Sequence, residues 1–197
     1  MIFLPTKHKQ GFTLIEMLVA LSLFTIVVTI AVGAFLSLIG ASKGVQSEQS
    51  VMTTLTFVLD SMTREIRTGS NYNCNTGTFG SQESLVVGRD CASGSTGISF
   101  EEAGSSITGS AANRIAYFYV SGANNTIMRK VGNGTAQSIV SDGIQITNAQ
   151  FFVTGTARLG TGTDINQPTV TIVLEATDDT GATTTLQTTV TQRELDI

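Results

Sequence analysis

An α+β fold, one long amino-terminal helix packed on an antiparallel β-sheet, is what this 197-residue sequence predicts, on three observations. An apolar run from Phe12 to Ile39 is interrupted by one charge, Glu16. Beyond it, apolar residues recur at helical spacing at Val45, Met52, Leu55, Leu59, Met62 and Ile66. From Arg114 onward, short segments of alternating apolar and polar residues are separated by Gly, Asn and Asp turns.

The helix comes first. Residues 1–11 form a short basic leader with Lys7, His8 and Lys9, and residues 12–40 form an apolar half long enough to cross a bilayer, which needs about 20 residues. The cations before the run place the amino terminus in the cytoplasm and the rest outside. A secretory signal peptide has an apolar region of only about 7–15 residues, so a plain single-pass anchor is the stronger simple alternative. Neither explains Glu16, since a charge inside the membrane costs about 2.5–3.5 kcal/mol even on lenient insertion scales. Residues 41–69 form the amphipathic half, with Ser47, Ser50, Asp60, Arg64 and Arg67 off the apolar stripe. Gly69 is a natural helix stop, and Arg64 and Arg67 complement the negative end of the helix dipole. Gly33, Gly40 and Gly44 interrupt the helix; Gly33 marks either a point of bending or a close helix contact.

Residues 70–113 are punctuated by Gly, Ser, Asn and Thr and read as a variable loop region, with short strand candidates at Ser84–Arg89 and Gly97–Glu102. This region holds both cysteines, Cys74 and Cys91. With an export segment upstream, they read as one disulfide closing a surface loop, worth about 3 kcal/mol; two free thiols are the alternative. Residues 114–197 form the antiparallel sheet. Arg114–Ser121 is a strand with Ile115, Tyr117 and Tyr119 on one face, turning through Gly122–Asn125 into Thr126–Val131. In Ile144–Val153 the apolar phase slips between Ile146 and Ala149, which predicts a bulge near Thr147-Asn148. Pro168 opens Thr169–Ala176, with Val170, Ile172 and Leu174 inward, and Asp178–Gly181 turns into Thr183–Gln192.

The composition argues against an enzyme. Without the leader the chain would hold no histidine and no Trp, which removes Ser-His-Asp, Cys-His and most zinc-hydrolase arrangements. No Gly-rich phosphate loop precedes a helix, and Glu101-Glu102 and Asp178-Asp179 are strand neighbours that point to opposite faces. No cofactor is expected. Asp178–Gly181, or Asp164 with Asn166, offers oxygen ligands to Ca²⁺, but neither fits a fixed ligand spacing, and a turn and a solvated loop are the favoured readings. The formal net charge is -4, and no basic cluster forms outside the leader, so nucleic acid is not a direct partner.

Gly11-Phe12-Thr13-Leu14-Ile15-Glu16 resembles the class III signal of type IV pilins and type II secretion pseudopilins. The resemblance implies that a prepilin peptidase cuts after Gly11 and that Phe12 becomes the methylated first residue of the mature chain. Glu16 then meets the positive amine of a neighbouring subunit, or of its own chain, an arrangement that makes a buried carboxylate tolerable. The implied partners are prepilin peptidase, other pilin or pseudopilin subunits, an inner-membrane assembly platform and the lipid bilayer. The order of strands after Arg114, and Leu55–Arg67, resemble the J-type minor pseudopilins and related minor pilins. A major pilin, and a membrane-anchored binding module or adhesin facing outward through residues 70–113, are the alternatives.

Overall fold

The computed structural model describes residues 11–74, 88–104, 111–122, 125–156 and 167–193. The leader residues Lys7, His8 and Lys9, most of the strand candidate Ser84–Arg89, and Asp164 with Asn166 lie outside them. The chain divides between Val45 and Gln46 into two units.

Helix α1 spans Leu14–Thr68, 55 residues. Up to Val45 its large apolar side chains are exposed, and its length and composition suffice to cross a membrane. Three hydroxyls in this stretch are satisfied within the helix. Ser22, Thr25 and Thr29 each donate to a carbonyl three or four residues earlier, at 2.8 Å. A hydroxyl so paired does not oppose burial in lipid.

Among the described residues, the second unit builds nine antiparallel strands into two sheets. One has the order β1 (Ser70–Asn73), β3 (Gly97–Glu101), β4 (Arg114–Val120), β5 (Thr126–Val131), β6 (Gln137–Ser138). The other runs β2 (Cys91–Ser95), β7 (Ile144–Thr154), β8 (Thr169–Asp178), β9 (Thr183–Thr191). Composition reads 70–113 as a loop region, and it contributes β1, β2 and β3. These strands are short and polar, so no alternating pattern marks the first two. The chain changes sheet between β2 and β3 across the single residue Thr96. Gly94 fits here because its φ is +83° and a Cβ would press on Gln150 and the Phe152 ring.

The core lies where α1 meets the sheets. Val51, Leu55, Val58, Leu59, Met62 and Ile66 are buried against Ile98, Phe100 and Tyr117 of one sheet and Phe151, Ile172 and Leu174 of the other. Two stripe positions differ from the sequence reading. Met52 is exposed and Val51 is buried in its place, because one residue step turns the helix by about 100°. Val45 is also exposed, at the end of the first unit.

The expected bulge is present. Ile146 pairs with Ala176 and Asn148 with Glu175, leaving Thr147 as the extra residue. Ile144 and Ile146 before it, and Ala149, Phe151 and Val153 after it, all reach the core. The helix ends as expected before Gly69, but by a different device. Gly69 does not adopt a positive φ; a Cβ there would collide with the Phe100 ring. The end carbonyls find several donors: the Gly69 N–H reaches Glu65 O and Ile66 O, and the Arg193 N–H donates to Arg67 O. The single Tyr72 hydroxyl proton is shared between Ile66 O at 2.6 Å and Gly69 O at 2.7 Å.

Cys74 and Cys91 form a disulfide with their Cα atoms 6.2 Å apart. The Arg89 N–H also donates to Tyr72 O at 2.8 Å, and Asp90 Oδ1 accepts from the Thr156 N–H and hydroxyl. The neck of the loop is thus held by several bonds. Replacing both cysteines by serine is expected to lower the stability of the second unit by about 2–3 kcal/mol without unfolding it. Denaturant unfolding of the double variant beside the oxidised protein measures this, and an unchanged midpoint would refute it.

Candidate functional site at the start of the long helix

Residues 11–13 are non-helical, and α1 begins at Leu14. Thr13 acts as the N-cap. Its Oγ1 accepts the Glu16 N–H at 3.3 Å, and its carbonyl accepts the Met17 N–H at 3.2 Å. Glu16 therefore occupies the third helical position, in the first turn, where the helix dipole favours a negative charge. The Thr-x-x-Glu spacing in the sequence is the signal for this cap, and the structure shows its Thr13 half.

Gly11 and Phe12 lie just ahead of this cap, both exposed. A Cβ at Gly11 would meet nothing within 4 Å, and its φ is not positive. Among the described residues, nothing in the fold demands glycine at that position.

Residues 6–40 match the family described as the prokaryotic N-terminal methylation motif. The chain carries a type IV pilin-like class III signal. No curated protein and no solved structure matches it. The motif implies processing by prepilin peptidase and assembly with other pilin subunits, and together with the apolar helix it fits anchoring in a membrane.

The second unit holds polar clusters of a different kind. Glu65, near the end of α1, accepts the Tyr117 hydroxyl at 2.7 Å and a two-pronged contact from Arg129, at 3.1 and 2.9 Å. Tyr117 and Arg129 are cross-strand partners, so one helix carboxylate clamps a strand pair. Burial, then the Glu65 carboxylate, pushes the Tyr117 hydroxyl well above its usual pKa. The Arg129 guanidinium is raised chiefly by its hydrogen bond to Glu65. No spacing rule links residues 65, 117 and 129, and sequence reading missed them. Glu65→Gln is expected to cost about 1.5–3 kcal/mol, the range of a hydrogen bond to a charged group. Thermal unfolding should show a midpoint lower by roughly 3–10 °C for a unit of this size. An unchanged midpoint would mean that the clamp contributes nothing net.

Arg114 and Glu101 are also cross-strand partners, and both are fully buried. Arg114 Nη2 donates to Asn71 O at 2.9 Å and to Ser99 Oγ at 3.0 Å. Burial lowers its pKa to about 10, opposed by the Glu101 charge. Asp178 serves its turn: Oδ1 accepts the Thr180 hydroxyl and the backbone N–H groups of Thr180 and Ala182. The Thr180 hydrogen bond leads in holding its carboxyl below the usual range. Among the described residues, no group of three or more His, Cys, Asp or Glu side chains could hold a metal.

Proposed function

We propose that this chain is a pilin-like structural subunit, cut by prepilin peptidase after Gly11 and methylated at Phe12. It is inserted in the bacterial inner membrane with its amino terminus in the cytoplasm, then drawn into a filament. Residues 1–11 are the leader, 12–40 the membrane half of the helix, 41–69 its amphipathic half, and 70–197 the domain displayed outside. Glu16 is the assembly carboxylate, paired with the amine freed at Phe12 of a neighbouring subunit. The observation carrying this reading is the methylation motif across residues 6–40, with Gly11 and Phe12 exposed ahead of a capped helix.

Mass spectrometry of the amino-terminal peptide from membrane-extracted protein tests it. A chain beginning with methylated Phe12 is the expected result, and an intact Met1 would overturn the reading. The resemblance to J-type minor pseudopilins favours a minor subunit of a secretion pseudopilus or of a type IV pilus. Sheared filaments should then contain the processed chain in far smaller amount than the principal subunit. A processed chain found solely in membranes, free of other pilins, would favour an anchored binding module instead.

A further inference from the structure

Within the second unit, two adjoining cavities of about 300 Å³ each lie between α1 and β9, sharing Asp60 and Thr63 as walls. One is closed by Arg64, Arg67 and Arg193. The other continues along the apolar pair Leu59 and Leu186. Together they form a groove beside the last strand of a sheet.

That strand is an unguarded edge. β9 pairs with β8 on one side and ends the sheet order. Among the described residues, no backbone group outside the sheet bonds to Thr183–Thr191. Edge strands are normally blunted by charge, proline, bulges or shortness. This one is nine residues long, reads TTTLQTTVT, and has none of those features. Helix α1 flanks it and holds the Arg193 N–H just past its end through Arg67 O, but among the described residues it bonds none of the strand's backbone.

The arginine end reverses the charge of its surroundings. The chain is net -4, yet three guanidiniums gather here around one carboxylate, Asp60, which pairs with Arg64 at 3.3 Å. Among the described residues, neither Arg67 nor Arg193 has an ion-pair partner.

We infer that this groove takes an extended segment of a partner protein, added to β9 as a further strand, with carboxylate side chains at the end meeting Arg64, Arg67 and Arg193. A helix laid in the groove would leave the strand edge unpaired, and a small anion would fill the arginine end alone. An extended acidic segment satisfies both: its main chain pairs with β9, and its carboxylates find the guanidiniums. The inference stands independently of the proposed function, since it rests on the second unit.

The test uses the full chain in detergent micelles and fluorescein-labelled ten-residue peptides of alternating Thr and Val, carrying two Asp at one end or the other. Fluorescence anisotropy at low salt should show at least one of them binding. A counterpart with Lys for Asp, and a peptide N-methylated at alternate residues, should each bind at least tenfold more weakly. The exposed pair Arg67→Glu and Arg193→Glu, checked for an unchanged circular dichroism spectrum, should weaken binding of the acidic peptide at least tenfold. Hydrogen exchange should show the Thr183–Thr191 amides that bond no β8 carbonyl protected solely in the peptide complex. No binding by either acidic peptide, or undiminished binding of the Lys or N-methylated peptide or by the double variant, overturns the inference. So does protection of those outward amides in the protein by itself, which would mean that another part of the chain or a second copy covers the edge.

Discussion

Glu16→Ala is expected to leave insertion and processing intact while lowering incorporation into assemblies at least tenfold. The substitution spares the start of the helix, because the cap runs from the Glu16 N–H to Thr13 and any residue at position 16 supplies that donor. Under the proposed function it removes the carboxylate that would pair with a neighbouring subunit's amine once both are withdrawn from water. Removing one member of a buried pair costs about 3–5 kcal/mol, because the partner charge is left uncompensated. Each 1.4 kcal/mol is a factor of ten, so tenfold is a conservative floor. Glu16→Gln sharpens the test, since the amide keeps the hydrogen-bonding capacity and loses the charge. Both variants should be cut and methylated normally, as read by mass spectrometry, and both should be depleted from sheared or co-purified filaments. Normal co-assembly of Glu16→Ala would end the case for a docking role. Normal co-assembly of the Gln variant with failure of the Ala variant would replace the ion pair by a hydrogen bond.

The second large effect is expected from deleting Thr147. This residue is the extra one in the β7 bulge, and without it a continuous ladder puts either Ile144 and Ile146 or Ala149, Phe151 and Val153 on the wrong face. Keeping the larger group inward exposes two isoleucines. At about 1.5–3 kcal/mol for each buried side chain, the loss is about 3–6 kcal/mol. A domain is stable by about 5–15 kcal/mol in all, so the deletion should leave the second unit marginal or unfolded. Thr147→Ala is the control: the side chain is exposed, and the substitution should change stability by less than about 0.5 kcal/mol. Near-ultraviolet circular dichroism and denaturant unfolding of the two variants decide it. A deletion variant as stable as the wild type would show that the bulge can relocate at no cost.

Much of this architecture was written locally. The helix from Leu14 to Thr68, the strands after Arg114 and the bulge at Thr147 follow from period, turn residues and one phase slip, signals that each segment carries within itself. The division into two sheets was not legible. It depends on which neighbours β2 and β3 choose on either side of Thr96, a choice made by packing far along the chain. Helix phase was legible only to within a residue, so Val51 and Val58 displaced Met52 and Val45 from the core. At the amino-terminal site, Gly11, Phe12 and Glu16 stood out by type and spacing, whereas the capping role of Thr13 was hidden behind the charge three residues on. The clamp at Glu65 and the approach of Arg193 to Asp60, Arg64 and Arg67 were invisible because each joins elements distant in sequence.

The bond from the Arg193 N–H to Arg67 O closes the second unit across well over a hundred residues at 2.8 Å. Contacts of that span are reached last by a growing chain and slow folding by their loop-closure cost. During synthesis the stripe Val51–Ile66 emerges long before Val190, the last apolar core residue among those described, exists to cover part of it. The helix face is covered in stages, by Ile98, Phe100 and Tyr117, then by Phe151, Ile172 and Leu174, and Val190 closes it late. A chain interrupted early in this order leaves apolar surface bare to chaperones and proteases.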